Sequence, residues 1–141
     1  MAASMRDLKV WQEAVALAAE VVRAVRSGRT QSVEVLTDDL IRTSLSAAAA
    51  VGDGWSRREA SEQKDVYVFA KRELLRLETL LAVARQADFI STATHADLSA
   101  RIQTALRLLG GYLVYLERAP GSAAFASAAG DAAAERGGKG S

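Results

Sequence analysis

The sequence is poor in several residue types, and each shortage excludes a class of structure or chemistry. Cysteine is absent from all 141 residues, which excludes disulfides and thiolate sites and fits a reducing compartment. There is a single proline, at position 120, so no proline interrupts a helical pattern before it. Aromatic residues make up only 6% while half of the residues are apolar, so we expect a core of Leu, Val and Ala. This composition favours an all-α domain.

The chain also has no large excess of charge of one sign and no long apolar run. The 18 basic and 17 acidic residues leave a net charge of +1, so no strong field attracts nucleic acid or a membrane surface. No apolar run approaches the roughly 20 residues that span a bilayer. The apolar stretch at 14–19 lies between Glu13 and Glu20 and is too short for a signal peptide. We therefore expect a cytoplasmic protein with no membrane partner.

Patterns for catalysis and metal binding are missing as well. His95 is the only histidine, whereas metal sites in helical bundles use Glu-x-x-His pairs on two helices. Serine hydrolase chemistry needs a base beside a nucleophile motif, and His95 has no such neighbour. The GDGW segment at 52–55 is too short to cradle a phosphate. The sequence therefore predicts no enzyme activity, no cofactor, no metal site and no small-molecule substrate.

Four segments repeat apolar residues at spacings of 3 and 4, which is the spacing of amphipathic helices. We place these helices at about residues 6–26, 36–55, 56–85 and 94–119. Gly52 and Gly54 are expected to end the second helix. Four helices with short connections predict an antiparallel up-down-up-down four-helix bundle at residues 1–119. Residues 120–141 are rich in Ala, Gly and Ser and are expected to form a flexible, disordered tail.

The first helix carries two neighbouring apolar rows, more than one partner helix needs. The first row is Leu8, Trp11, Val15, Ala18, Val22 and Val25, and the second is Val10, Ala14, Leu17, Val21 and Ala24. Two interpretations remain open, a deeply buried helix in a monomer and a second row that faces another subunit. Gly110 and Gly111 lie inside the fourth helix, where each costs about 1 kcal/mol in helix propensity. Close packing against a neighbour is their expected use, so we look for subunit contacts there and on the first helix.

Charged residues give one candidate surface and one candidate pair. Six basic residues gather at the corner of the second and third helices and along the third: Arg57, Arg58, Lys64, Lys71, Arg72 and Arg76. Four acidic residues are interleaved with them, which favours a solvated face of mixed charge. The other interpretation is a nucleic-acid contact surface, which would need several copies side by side. Arg42 is most simply a solvated residue, and with Glu78 it forms a candidate structural pair across the bundle.

Four segments occur in an order and spacing that resemble one protein family. They are DLKVWQEA (7–14), LTDDLIRTS (36–44), AVGDGWSR (50–57) and FAKRELLRLETLLAVA (69–84). With these segments the chain resembles the small four-helix-bundle proteins encoded in intervening sequences of bacterial ribosomal RNA genes. The accessory proteins of diversity-generating retroelements are similar to that family. Where the family carries an asparagine and a glutamate at the end of the second helix, this chain has Ala50 and Asp53.

The resemblance implies an antiparallel bundle that assembles into ring-like homopentamers. Our first interpretation is a non-enzymatic oligomeric protein that acts as a binding or scaffolding module. The retroelement relatives are similar in binding a reverse transcriptase and nucleic acid. The alternative is therefore an accessory protein that binds RNA or DNA and a reverse transcriptase, using the basic residues at 57–76.

Overall fold

The computed structural model describes residues 4–27 and 34–118, and the predicted tail at 120–141 lies outside these ranges. The described chain forms a short 3-10 helix, Met5–Asp7, and four α-helices. These are α1 (Lys9–Ser27), α2 (Glu34–Ser56), α3 (Ala60–Gln86) and α4 (Thr92–Arg118). No strand occurs within the two described ranges. The all-α fold predicted from the composition and the helical spacing is confirmed.

Each α-helix packs against two neighbours, and together they surround one core. The helices α1 and α3 both contact α2 and α4. The connections at 57–59 and 87–91 are too short to cross the bundle, so α2, α3 and α4 alternate in direction. The predicted antiparallel four-helix bundle is confirmed. None of the helices in the described ranges is long and apolar enough to cross a membrane.

The inner face of α3 shows how closely the apolar spacing predicts burial. Its buried residues are Tyr67, Ala70, Leu74, Leu77, Leu81 and Ala84. The apolar spacing in the sequence predicts a core stripe of Val66, Ala70, Leu74, Leu77, Leu81 and Ala84, widened by Tyr67, Phe69 and Leu75. This stripe is confirmed from Ala70 onward, but it begins at Tyr67 rather than Val66. Phe69 and Leu75, which were expected to widen the stripe, are 47% and 45% exposed. One position along a helix turns a side chain by about 100°, which is enough to move it from the core to solvent.

Both apolar rows of α1 contribute residues to the core. Val10, Ala14, Leu17 and Val21 of the second row are buried in the core of their own chain. Leu8, Ala18 and Val25 of the first row are buried as well, whereas Val15 of that row is 39% exposed. The second row is therefore occupied by intramolecular packing and is not free to contact another subunit.

Gly52 and Gly54 lie inside α2, which continues to Ser56, so the prediction that they end the helix is wrong. A Cβ built on Gly54 would lie only 2.6 Å from Cε1 of the buried Tyr67 ring. A Cβ on Gly52 would lie 3.0 Å from Met5 Sδ. Because these glycines lack a Cβ, aromatic and thioether side chains can approach the α2 backbone. Neither glycine ends the helix.

The ends of the helices differ from the predicted ones by a few residues. Ser56, a candidate cap for α3, instead ends α2, where its hydroxyl donates to the Asp53 carbonyl at 2.7 Å. The first turn of α4 is capped by Ser91, whose Oγ accepts from the Thr94 N–H at 3.0 Å. In the sequence, Thr94 with Asp97 resembles a capping box and predicts a cap at Thr94. Thr94 instead lies inside the helix, because Ser91 accepts the hydrogen bond from its free amide.

Candidate functional site

The six candidate nucleic-acid contacts lie on the connection between α2 and α3 and along α3. Two of them face a carboxylate. Arg57 Nη2 lies 3.0 Å from Asp53 Oδ2, and Lys64 Nζ lies 3.2 Å from Glu117 Oε1 on α4. The hydrogen bond to Asp53 raises the pKa of Arg57 above its ordinary value. These two cations therefore belong mainly to the internal electrostatics of the bundle.

The other four basic residues are more available to a partner. Arg58, Lys71, Arg72 and Arg76 are all exposed, and none forms an ion pair within the described ranges. Arg72 and Arg76 are one helical turn apart and share the outward side of α3. Lys71 lies about 100° around the helix from Arg72, so it points toward a different side.

Exposed apolar side chains accompany the two arginines. Phe69 lies three positions before Arg72, and Val83, which is 52% exposed, lies seven positions after Arg76. All four therefore lie on the outward side of α3, which we call the α3 outer face. A shallow depression of about 420 Å³ borders Val83. The sequence prediction missed both apolar members, although Phe69 is one position off the stripe that contains Ala70.

The structure gives the two members of the predicted Arg42–Glu78 pair different partners. Arg42 Nη1 lies 3.7 Å from Asp39 Oδ1, and the Arg42 side chain is largely exposed on the outside of α2. Glu78 lies on the side of α3 that faces α4. Its carboxylate accepts hydrogen bonds from Ser99 Oγ at 3.0 Å and from Gln103 Nε2 at 2.9 Å. Glu78 therefore ties α3 to α4 and has no direct role toward α2.

Three tyrosines meet at the end of the bundle where α3 begins. The rings of Tyr67 and Tyr112 have centroids 5.1 Å apart and meet edge to face, and Tyr112 and Tyr115 are 5.6 Å apart. Tyr67 is fully buried, and its hydroxyl finds no hydrogen-bond partner among the described residues. Burial, and next the neighbouring Tyr112 hydroxyl, raise the pKa of Tyr67 well above its usual range.

Tyr67→Phe is expected to raise the free energy of unfolding by about 1 kcal/mol at pH 7, because it removes a buried hydroxyl without a partner. In the natural protein the unfolded state loses a proton above the ordinary tyrosine pKa of 10.0 while folded Tyr67 keeps it. Stability should therefore fall as the pH rises above that value. The Tyr67→Phe variant has no hydroxyl to titrate at this position, so it should lack this loss of stability. The difference in the free energy of unfolding between the variant and the natural protein should therefore increase with pH. Urea unfolding at pH 7 and at alkaline pH measures both effects.

The exposed Tyr115 provides the control for this prediction. Tyr115→Phe keeps Tyr67 in place, so it should retain the alkaline loss of stability. An equal alkaline loss in Tyr67→Phe and in the natural protein would contradict the predicted role of the buried hydroxyl.

A groove of about 250 Å³ lies where the end of α1 meets the start of α4. Glu20, Arg23 and Asp97 are among its lining residues. Glu20 accepts a hydrogen bond from Arg23, which lowers the Glu20 pKa. His95 lies half-buried in the first turn of α4. Within the described ranges, no three His, Asp or Glu side chains are grouped so that they could hold a metal ion.

Residues 6–111 match the sequence model of a family described as 23S rRNA-intervening sequence protein. The match covers more than half of the chain, from the start of the described bundle into the second half of α4. No curated protein was found to match the sequence.

Proposed function

Because the chain belongs to the 23S rRNA-intervening sequence protein family, we propose that it is a non-enzymatic, self-associating bundle that acts as a binding or scaffolding module. The observation that carries the proposal is the exposure of large apolar side chains on all four helices. They are Val15, Val35, Leu45, Phe69, Leu75, Val83, Val114 and Tyr115. Single exposed apolar residues are ordinary, but grouped ones mark surfaces that contact other macromolecules.

Gly110 and Gly111 support the proposal from a different direction. A Cβ built on either glycine would meet nothing within 4 Å, so close packing does not explain them inside the described part of this chain. Each glycine weakens the interior of α4 by about 1 kcal/mol relative to alanine. Val114, one turn further on, is also exposed. A second copy that approaches α4 closely would give both glycines a use.

The non-enzymatic part of the proposal is supported by how the charged groups are engaged. Glu20 and Arg57 are held by neighbouring side chains of opposite charge. Glu78 accepts hydrogen bonds from two polar side chains of α4. These groups hold structure together, and a general acid or base would need a free side chain beside a reacting atom.

Native mass spectrometry of the full chain, purified from cells without nuclease, tests the proposal. The expected result is a defined assembly of several protomers, and a mass of five protomers would match the homopentamer implied by the sequence resemblance. A monomer at micromolar concentration would overturn the proposal.

A second candidate function is an accessory protein that binds RNA or DNA together with a reverse transcriptase. The observation that favours it is that Arg72 and Arg76, which form no ion pair within residues 4–27 and 34–118, lie beside the exposed Phe69. Arginines of this kind neutralise phosphates, and an aromatic ring provides a surface on which a base stacks. Extra mass on the native assembly that ribonuclease or deoxyribonuclease removes would support this candidate. A nuclease-insensitive mass equal to protein alone would count against it.

A further inference from the structure

Two of the exposed surfaces have complementary charge. On α2, Glu34, Val35, Asp38 and Leu45 lie on the side away from the core, and we call this set the α2 outer face. Val35 is 74% exposed and Leu45 is 51% exposed. Glu34 and Asp38 are exposed and form no ion pair within the described ranges. Arg42 also lies on the outer side of α2, but it pairs with Asp39, so this side keeps a negative charge from Glu34 and Asp38, with Val35 and Leu45 beside them.

The α3 outer face carries two charges of the opposite sign, and these also lie beside exposed apolar side chains. Arg72 and Arg76 stand between Phe69 and Val83, just as Asp38 stands between Val35 and Leu45. The apolar residues are about 21 Å apart along α3 and about 15 Å apart along α2, at 1.5 Å per residue. The two charged residues of each face are four positions apart, so the two faces match in the spacing of their charges and are opposite in sign.

We propose that the α2 outer face of one copy packs against the α3 outer face of a second copy, with Glu34 and Asp38 facing Arg72 and Arg76. This inference rests on the proposed function, because it requires that the chain associates with itself. Burial of the four apolar side chains supplies the attraction. The charges supply the specificity, since α2 against α2 or α3 against α3 would bring like charges together.

The contact joins two different surfaces, so it is heterologous. Each copy that uses its α2 outer face still presents a free α3 outer face to the next copy. Such a contact does not stop at a dimer, and it continues until the assembly closes as a ring or extends as a filament.

A second copy explains the surfaces better than a nucleic acid does. Phosphates would engage Arg72 and Arg76, but they would be repelled by Glu34 and Asp38. A nucleic acid on α3 would also leave Val35 and Leu45 of α2 exposed to water. A single contact between two copies covers the α2 outer face of one copy and the α3 outer face of the other.

Charge reversal on each face provides the test, with the full chain throughout. The first variant is Arg72→Glu/Arg76→Glu and the second is Glu34→Arg/Asp38→Arg. All four positions are exposed, so circular dichroism should show unchanged helix content. Light scattering after size exclusion should show at least a tenfold weaker association for each variant. The variant with all four changes should regain the natural mass, because opposite charges again face each other.

Mixing the two charge-reversal variants in equal amounts tests the heterologous geometry directly. Contacts between two copies of the same variant are repulsive, whereas both possible contacts between different variants are attractive. The expected result is therefore an assembly in which the variants alternate and whose copy number is even. A matched control for Arg72→Glu/Arg76→Glu is Arg6→Glu/Lys9→Glu, which makes the same change in net charge outside both faces and should leave the mass unchanged.

The outcomes that overturn the inference differ from those that overturn the proposed function. If the natural chain is assembled and both charge-reversal variants keep its mass, the inference fails and self-association stands. If Arg72→Glu/Arg76→Glu keeps the assembly but loses a nuclease-sensitive mass, the α3 outer face binds nucleic acid and the inference also fails. If the natural chain is a monomer, the proposed function fails and the inference fails with it.

Discussion

Gly54→Ala is expected to destabilise the bundle, although alanine is the better helix former. The added Cβ would lie 2.6 Å from Cε1 of Tyr67 and 3.0 Å from two further ring atoms. The ring is fully buried and cannot swing into solvent. We expect a steric cost of about 1–3 kcal/mol in the free energy of unfolding, partly offset by about 1 kcal/mol of helix propensity. Chemical denaturation followed by circular dichroism measures the net change.

Gly111→Ala is the matched control for Gly54→Ala. It makes the same change inside a helix, but its Cβ would meet nothing within 4 Å. We expect this variant to gain about 1 kcal/mol of stability at a concentration where the protein is monomeric. The difference between the two variants then isolates the steric cost at Tyr67. Equal effects of the two changes would contradict the close approach of α2 to the Tyr67 ring.

Leu77→Ala is expected to lower the free energy of unfolding by about 2–5 kcal/mol, because it leaves a cavity in the core. Leu77 is fully buried on the inner face of α3, whereas Leu75, two positions earlier, is 45% exposed. Leu75→Ala is the matched control and should change the monomer's stability by less than about 0.5 kcal/mol. Urea denaturation of both variants measures this contrast.

The protein concentration decides how a larger effect of Leu75→Ala is interpreted. A loss that is the same at all concentrations would mean that Leu75 is buried within its own chain, which contradicts the orientation of α3. A loss that appears only at high concentration would place Leu75 in a contact between copies, because association stabilises the folded state by mass action.

The fold could be predicted because the core-forming residues recur with the helical period. Along α3 and α4 one row of apolar residues keeps the spacing of 3 and 4 over the whole helix, although further apolar residues such as Val83 and Val114 lie outside it. The buried residues of α4 (Leu98, Ile102, Ala105, Leu109 and Leu116) all belong to the row read from the sequence. Only Tyr112 of that row is half-exposed.

Features that depend on contacts between two helices could not be predicted from the sequence pattern of each helix alone. The two rows of α1 have the same spacing, so the sequence could not indicate that both contribute residues to the core. Gly54 has the same local sequence signal whether it ends a helix or receives the Tyr67 ring. The hydrogen-bond partners of Glu78 depend on whether its side of α3 faces α2 or α4. It faces α4.

Of the α3 outer face, only the charged residues were predicted from the sequence. Arg72 and Arg76 stand out in the sequence because they interrupt an apolar segment. Phe69 and Val83 do not stand out, because an apolar residue in an amphipathic helix is expected to be buried. Their exposure follows from the rotation of α3 about its axis, which the packing against α2 and α4 determines.

The short connection at 57–59 has a consequence for how the chain reaches its native state. It joins α2 and α3, the two helices that pack together most extensively. Because closing a short loop costs little chain entropy, the helical hairpin of α2 and α3 is the cheapest tertiary unit to form. The ring of Tyr67 reaches Gly54 within this hairpin, so its tightest contact is also a local one. We therefore expect the hairpin to serve as the folding nucleus onto which α1 and α4 dock, giving the low contact order of fast-folding helical proteins.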